Sequence, residues 1–155
     1  MLAVAFDPVL GEGDLSIVNQ ACVEGAGVTD LATLVQISLF CDAPAQAGDG
    51  VAATTPRAGY WADAFEDRDT WGSRLWTLDR AKLVDETCRK AEAFSIEALR
   101  WMVEDGLASK VQATASIRRL EGGTSYERAI YLEGTIVGPD GSRTPWGPWQ
   151  VIRGV

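Results

Sequence analysis

The segment from Asp85 to Asp105 has the apolar periodicity of one long helix, and its width limits how the rest of the chain can be arranged around it. At about 100° per residue, its apolar side chains cover an arc of roughly 220°, about twice the stripe needed by a helix that packs on one sheet. Two interpretations are open: the helix is covered on both sides within its own fold, or a partner chain covers one side. Because 155 residues leave little material for a second covering layer, we favour the partner. The apolar residues are Cys88, Ala91, Phe94, Ile96, Ala98, Leu99, Trp101, Met102 and Val103.

Charge and glycine mark the two ends of this helix. Asp85 and Glu86 suit the positive end of the helix dipole, and Glu86 stands four residues before Lys90, the favourable order for an ion pair. Gly106 is placed to cap the other end, because glycine readily adopts the left-handed backbone conformation found there.

Beyond Gly106 the apolar period changes from that of a helix to that of a strand. Residues 109–120 are predicted to form one strand, and residues 125–137 form a second strand after a Gly-Gly-Thr turn. The sequence Pro-Asp-Gly-Ser at 139–142 indicates a hairpin turn. The side chains predicted to face the core are Val111, Ala113, Ala115, Ile117, Ile130, Leu132 and Ile136.

The last segment, residues 144–155, is predicted to return as a third strand. Pro145 and Pro148 cannot donate ladder hydrogen bonds, so this strand belongs at an accessible edge of the sheet. The predicted fold class is therefore α+β, with one long helix and a short helical turn packed on a small antiparallel sheet. The length favours a single domain over residues 1–155.

The first third of the chain gives weaker indications. Leu15–Asn19 is a candidate for a short strand. Residues 31–40 alternate in polarity and are predicted to form a strand with Val35, Ile37 and Leu39 on its buried face. Residues 42–59 combine Ala, Gly, Pro and Thr without periodicity, which indicates a surface loop.

Composition and charge exclude several classes of function. A net charge of −8 and a pI near 4.5 argue against nucleic-acid binding, which needs clustered Lys and Arg. The three cysteines form no Cys-x-x-Cys motif and histidine is absent from the sequence, so neither a metal site nor a disulfide framework is expected. No run reaches the ~18 apolar residues of a membrane span. We therefore expect no cofactor, no metal and no membrane.

The sequence offers little support for catalysis. Without histidine, the Ser-His-Asp and Cys-His arrangements are excluded, and no phosphate-binding glycine motif is present. Paired carboxylates remain possible in a chain with 22 acidic residues, and Asp63 and Glu66 stand beside aromatic residues that could stack on a sugar. A lysozyme-like wall-degrading enzyme is the alternative that this pair leaves open. We interpret the acidic residues as a solvated loop and predict that the protein is not an enzyme.

Aromatic residues are dense before the helix: Tyr60, Trp61, Phe65, Trp71 and Trp76 fall within 17 residues. Such rings commonly seal a core where a loop meets a helix. Trp and Tyr are also frequent hot spots of protein interfaces. Both interpretations can hold for different rings.

Three motifs in this order resemble the gene product 46 family of Mu-like phages, which is related to the gene-25-type wedge proteins of contractile-tail baseplates. The first is Gly59-Tyr60-Trp61, and the second is Gly-Ser-Arg-Leu-Trp at 72–76, preceded by Trp71. The third is the end of the long helix, where Trp101 and Glu104 match a Trp-Glu-Pro-Arg-like signature. Asp105-Gly106 stands where that signature has Pro-Arg, so the role of the Pro-Arg pair is not carried over. The resemblance covers roughly residues 31–137.

The resemblance implies a structural subunit of the baseplate wedge, present in six copies around the tail tube and monomeric alone. It implies a location in the virion tail after assembly in the host cytoplasm. The implied partners are larger wedge proteins, which share a helix bundle with this chain, the tail sheath protein, which meets its sheet edge, and the tail spike or hub. A secretion-system relative of the same wedge fold is a further alternative.

The interface residues that we infer combine these motifs with the apolar helix face and the last strand. On this basis, a chain lacking Trp149–Val155 is expected to keep its fold but to lose the ability to initiate a sheath. The candidate interface residues are Trp71, Arg74, Trp76, Phe94, Ile96, Trp101, Glu104, Trp149 and Val151.

Overall fold

Helices and antiparallel strands combine in the parts of the chain that the computed structural model describes, which are residues 2–7, 12–17, 26–51, 71–120 and 127–153. The elements, in chain order, are β1 (Leu2–Asp7), β2 (Glu12–Ile17), α1 (Ala26–Phe40), a 3-10 turn (Leu75–Leu78), α2 (Asp85–Ala98), α3 (Arg100–Glu104), β3 (Lys110–Arg119), β4 (Arg128–Val137) and β5 (Arg143–Arg153).

The principal sheet contains β3, β4 and β5 in that order, and both pairings are antiparallel. The predicted turn at 139–142 joins β4 to β5, with the Gly138 N–H donating to the Ser142 carbonyl at 2.8 Å. The α+β class and the outer position of the last strand are confirmed. A separate antiparallel pair is formed by β1 and β2, and the strand predicted at Leu15–Asn19 overlaps β2 as far as Ile17.

The hydrophobic core lies between one face of the sheet and the helices. All the side chains that the alternating pattern predicted to face inward on β3 and β4 are buried in this core or packed against it, so the predicted register of both strands is confirmed. The helices and the 3-10 turn supply the opposite side. Their fully or largely buried members are Val35, Leu39, Leu75, Leu78, Cys88, Ala91, Leu99 and Met102.

The strand predicted at residues 31–40 is wrong, because this segment forms the last ten of the fifteen residues of helix α1. Its buried positions follow a helical spacing, with Leu31 and Leu34 packed against the core and Val35 and Leu39 inside it. Ser38 falls on the same face and is also buried. Because Ser38 is a polar residue on the buried face, the apolar residues alone do not show the helical period, and the sequence shows a polar–apolar alternation instead.

The long helix predicted at Asp85–Asp105 is present as two consecutive helices, α2 and α3, with a turn at Leu99. Leu99 is fully buried and has φ −99° and ψ 3°. The Ser95 hydroxyl, one turn earlier, donates to the Ala91 carbonyl at 2.7 Å, a contact that often bends a helix. Gly106 follows α3 with φ +74°, so the predicted glycine cap is confirmed.

The C-terminal part of β5 belongs to the core, which corrects one expectation. Ile152 is 2% exposed and pairs with Ile130 of β4. Trp149 stacks on Trp146, with ring centroids 5.5 Å apart. Removing Trp149–Val155 would therefore take away core side chains and strand pairing, so the expectation that the truncated chain keeps its fold is wrong.

The outer strands β3 and β5 present their open sides differently. The Ala115 N–H points away from β4, because it donates to the Glu92 carboxylate of α2 at 2.9 Å. Along antiparallel strands, residue pairs that exchange backbone hydrogen bonds alternate with pairs that do not. The neighbouring residue Ser116 therefore exchanges backbone hydrogen bonds with Tyr131 opposite it, and the backbone groups of Tyr131 point toward β3. Gln150, opposite Tyr131 on the other side, therefore directs its backbone groups to the open side of β5.

Two other features complete the fold. The predicted loop at residues 42–59 is irregular as far as residue 51, apart from a bridge at Asp42, and residues 52–59 lie outside the described ranges. Among the described residues, no helix has both the length and the apolar character that crossing a bilayer requires.

Candidate functional site

The Gly72–Trp76 segment is attached to the end of α1 by backbone hydrogen bonds. The Ser73 N–H donates to the Cys41 carbonyl at 2.8 Å, and the Ala43 N–H donates to the Ser73 carbonyl at 2.9 Å. Gly72 has φ +104°, and a Cβ atom at this position would lie 2.5 Å from the Cys41 oxygen. The close approach of the two backbones therefore requires glycine.

The side chains of this segment strengthen the same attachment. The buried Ser73 hydroxyl donates to the Leu39 carbonyl at 2.5 Å and accepts a bond from the Leu75 N–H at 3.2 Å, which begins the 3-10 turn. Trp76 donates from Nε1 to the Ala43 carbonyl at 2.8 Å. The sequence motif thus has a structural role: it joins α1 to the start of the helical layer.

Arg74 connects the loop after α1 to helix α2. Its Nη1 lies 2.7 Å from Asp49 Oδ1 and its Nη2 lies 2.5 Å from Glu97 Oε2. Its guanidinium carbon lies 4.2 Å above the centroid of the Phe94 ring, a cation–π distance. The Arg74 and Asp49 side chains are 14% and 7% exposed, so this pair is largely removed from water.

Trp101 of α3 is fixed by contacts on two sides. Its Nε1 donates to the Ser38 hydroxyl of α1 at 3.0 Å. The Trp71 ring lies 5.7 Å from the Trp101 ring, centroid to centroid. Helix α1 therefore covers part of the wide apolar arc of α2 and α3, so the interpretation of a helix covered within its own fold holds for this part.

A cavity of about 450 Å³ opens beside these residues. Its walls come from residues 43–46, from residues 72–74 and from α2 and α3. Arg74, Phe94, Trp101 and Glu104 all line it. Four of the predicted interface residues are thus brought together around one concave surface.

Apolar side chains on α2, on α3 and in the turn after α3 are open to solvent. Ile96, Val103 and Leu107 are 41%, 40% and 50% exposed. Ile96 lies on α2, Val103 lies on α3, and Leu107 follows Gly106. We call Ile96, Val103 and Leu107 the exposed apolar stripe. Within the described residues, this part of the arc has no covering layer in its own chain.

The two predicted residues on β5 lie apart from the cavity. Trp149 is half-buried between Trp146 and the Phe40 ring, whose centroid is 5.7 Å away in an edge-to-face arrangement. Val151 is half-buried and packs against the core. The predicted set therefore divides among three places: the cavity with the adjacent Trp71 and Trp76, the exposed apolar stripe, and β5.

Two carboxyl groups near the end of α1 have altered acidity. Burial raises the pKa of the Asp42 carboxyl. Burial also raises the pKa of Asp79, the negative charge of Asp42 raises it further, and the positive charge of Arg80 lowers it.

Asp63 and Glu66, the pair that the enzyme alternative would use, lie outside the described ranges. In the described part of the chain, no group of three or more potential ligands is arranged to hold a metal ion.

Several residues of this site were not identified from the sequence. Asp49 lies in the irregular loop, where no pattern marked it as the partner of Arg74. Glu97 and Glu92 lie on the predicted helix, but no sequence pattern marked Glu97 as a partner of Arg74 or Glu92 as the acceptor for the Ala115 N–H. An acidic residue beside a loop that contacts an arginine motif has no sequence pattern of its own, because the pairing depends on the fold.

The sequence model of the family described as Phage protein GP46 matches residues 31–143, from within α1 to the start of β5. The chain belongs to this family. It is 34% identical over 146 residues to the baseplate protein gp46 of Escherichia phage Mu, covering 94% of this chain and 93% of that protein. It is 33% identical over 132 residues to the Mu-like prophage FluMu protein gp46 of Haemophilus influenzae, and the aligned part covers 85% of this chain and 84% of that protein.

Membership of the GP46 family confirms the resemblance found in the sequence. The matched range contains the Gly72–Trp76 segment, α2 and α3, and therefore the cavity and the residues 96 and 103 of the exposed apolar stripe. The relation to gene-25-type wedge proteins stays a prediction.

Proposed function

We propose that this GP46 family member is a structural component of the baseplate of a contractile phage tail, where it serves as a wedge subunit. The name of the phage Mu relative, baseplate protein gp46, supports the assignment to a baseplate, because the two chains align over nearly their whole lengths. The role is structural: the side chains of Ser73, Arg74 and Trp76 are occupied in joining elements of the fold.

The exposed apolar stripe supports the proposal that a larger wedge protein binds this chain. Surface side chains of this kind occur singly on many proteins, but here three fall within twelve residues, from the last part of α2 to the turn after α3. An amphipathic helix of a larger wedge protein would cover them and form a small bundle with α2 and α3. Glu104 and the cavity beside it would lie at the border of this contact.

The open side of β5 is the proposed contact for the tail sheath protein. Pro145 and Pro148 lack N–H groups, whereas Gln150 directs its backbone donor outward. A strand from another chain can add at this point through main-chain hydrogen bonds, with Trp149 and Val151 beside it. Six copies around the tail tube would offer six such strand edges. The tail spike or hub would be another partner of the protein in the baseplate. The protein would be assembled into the virion in the host cytoplasm.

Replacing Ile96 with aspartate is expected to leave the isolated protein folded while preventing its incorporation into baseplates. The side chain is already partly in water, so a charge there costs the monomer less than about 1 kcal/mol. In the contact with a partner helix, the same carboxylate would be buried without a counter-charge, at a cost of several kcal/mol. Circular dichroism measures the fold, and co-purification with the other baseplate proteins of its own phage measures incorporation.

The control is Lys90→Asp, which places a carboxylate on the same helix, roughly a third of a turn around from Ile96, and lowers the net charge by two units against one for Ile96→Asp. This variant is expected to assemble normally. Normal assembly of Ile96→Asp would contradict the proposed helix contact. Failure of both variants to assemble would show that added negative charge, rather than the exposed apolar stripe, is responsible.

The β5 contact is tested by Gln150→Pro, which removes one outward-facing N–H and leaves the ladder between β4 and β5 intact. Virions carrying this variant are expected to have baseplates without a sheath, as seen by electron microscopy. Gln150→Ala keeps the N–H and is expected to give normal tails. Normal sheaths with Gln150→Pro would mean that the sheath does not begin at this edge.

A further inference from the structure

The open side of β3 is unprotected by the composition of the strand itself. Residues 111–117 contain no charged residue, no proline and no glycine, and the charges of the strand lie at its two ends, at Lys110, Arg118 and Arg119. The register with β4 runs without interruption from Lys110 to Arg119, so no bulge twists the strand away. An uncharged, regular outer strand is a template on which another strand can pair.

The other outer strand shows the devices that β3 lacks. Pro145 and Pro148 interrupt the row of donors on β5, and two register shifts break its pairing with β4. The two sides of one sheet are therefore built differently. Protection of β3 has to come from outside the strand.

Glu92 supplies a contact at this place. It lies on α2, which packs mainly on β3, and its Oε1 accepts a hydrogen bond from the outward-pointing Ala115 N–H at 2.9 Å. The bond is partly buried, and its acceptor is a carboxylate, which makes it stronger than a bond between neutral groups. The donor in the middle of the uncharged run is thereby occupied, and the side chain stands where an added strand would lie.

We propose that Glu92 closes the β3 edge against pairing with a second copy of this chain. The run is suited to antiparallel pairing with itself. If Thr114 lies at the centre of such a pair, Ala113 of one copy stands opposite Ala115 of the other, and Val111 stands opposite Ile117. All four positions direct their backbone groups outward, as Ala115 does. The inference rests on this geometry and is independent of the role in a baseplate.

The test compares Glu92→Ala with Glu86→Ala by sedimentation velocity over a range of protein concentrations. Glu86→Ala is the matched control, since it removes the same charge from the same helix at an exposed position, where Glu86 pairs with Lys90. Glu92→Ala is expected to self-associate with an association constant at least about tenfold above that of the control. Glu92→Gln keeps an acceptor oxygen and is expected to remain monomeric like the wild type.

A second substitution identifies the surface that self-associates. Adding Thr114→Lys to Glu92→Ala would bring two lysines opposite each other at the centre of the proposed pair, and like charges in that position oppose pairing. The double variant is expected to return to the monomer. A folded Glu92→Ala protein that stays monomeric at every concentration, or self-association that persists with Thr114→Lys, would overturn the proposal.

Amide hydrogen exchange provides a measurement on the wild-type protein, should Glu92→Ala fail to fold. The Ala115 N–H is expected to exchange more slowly than the Ala113 N–H, by about tenfold, because both point outward and only Ala115 is bonded to Glu92. Equal exchange of the two amides would show that Glu92 does not shield the edge.

Discussion

Replacing Gly72 with alanine is expected to lower the free energy of unfolding by about 3 kcal/mol. Two costs add at this position. The backbone has φ +104°, which residues with a Cβ rarely adopt, and the new Cβ atom would lie 2.5 Å from the Cys41 carbonyl oxygen. That oxygen accepts the Ser73 N–H, so it cannot move away without breaking the attachment of the segment to α1. Urea unfolding monitored by circular dichroism measures the loss.

Gly106→Ala is the control for the conformational part of this cost. Gly106 also has a positive φ, +74°, but a Cβ atom there would meet no atom of the described residues within 4 Å, its two chain neighbours aside. Its loss is expected to be about 1 kcal/mol. If both variants lose the same stability, the contact with Cys41 is not what requires glycine at position 72.

Replacing Arg74 with alanine is expected to destabilise the fold by about 3 kcal/mol, because the largely buried Asp49 carboxylate would lose its counter-charge. The stacking of the guanidinium on Phe94 would also be lost. Glu97→Gln should cost less than about 1 kcal/mol, since that partner is 41% exposed and water can replace the interaction. The three proteins can be compared by thermal and urea unfolding.

A double-mutant cycle separates the charge from the packing. Adding Asp49→Asn to Arg74→Ala removes the unpaired carboxylate, while Asn can still accept the hydrogen bond from the Gln46 N–H. The double variant is therefore expected to be more stable than Arg74→Ala alone. A double variant that is less stable than Arg74→Ala would contradict the account of a buried charge left without its partner.

The strongly periodic parts of the chain could be predicted from the sequence, and α1 could not. In β3 and β4, alternation placed Ile130 and Leu132 on the correct face, because each buried position there is apolar. In α1, the buried face includes Gln36 and Ser38, and Ser38 is buried as the acceptor for Trp101 from another helix. The local spacing of apolar residues cannot predict the burial of a polar residue whose hydrogen-bond partner lies 63 positions away in the sequence.

The candidate site shows the same division. Resemblance to known sequences drew attention to the Gly72–Trp76 segment, and the cavity does lie beside it. The partners of that segment, Asp49 and the carbonyl groups of Leu39 and Cys41, belong to a loop and to a helix end. Backbone carbonyls are present at every residue, so their role is determined by the tertiary fold and not by residue type.

The unequal edges of the sheet have a consequence that polymer chemistry describes as functionality, the number of sites at which a unit can be linked. A sheet with two open edges has a functionality of two, so copies can join without limit. In this chain Glu92 occupies the middle of the β3 edge. On the β5 edge, prolines limit the backbone N–H groups that can bind another strand to those near Gln150. Under the two proposals, the three-stranded sheet has a functionality of one: it would start or end a row of strands but would not extend one.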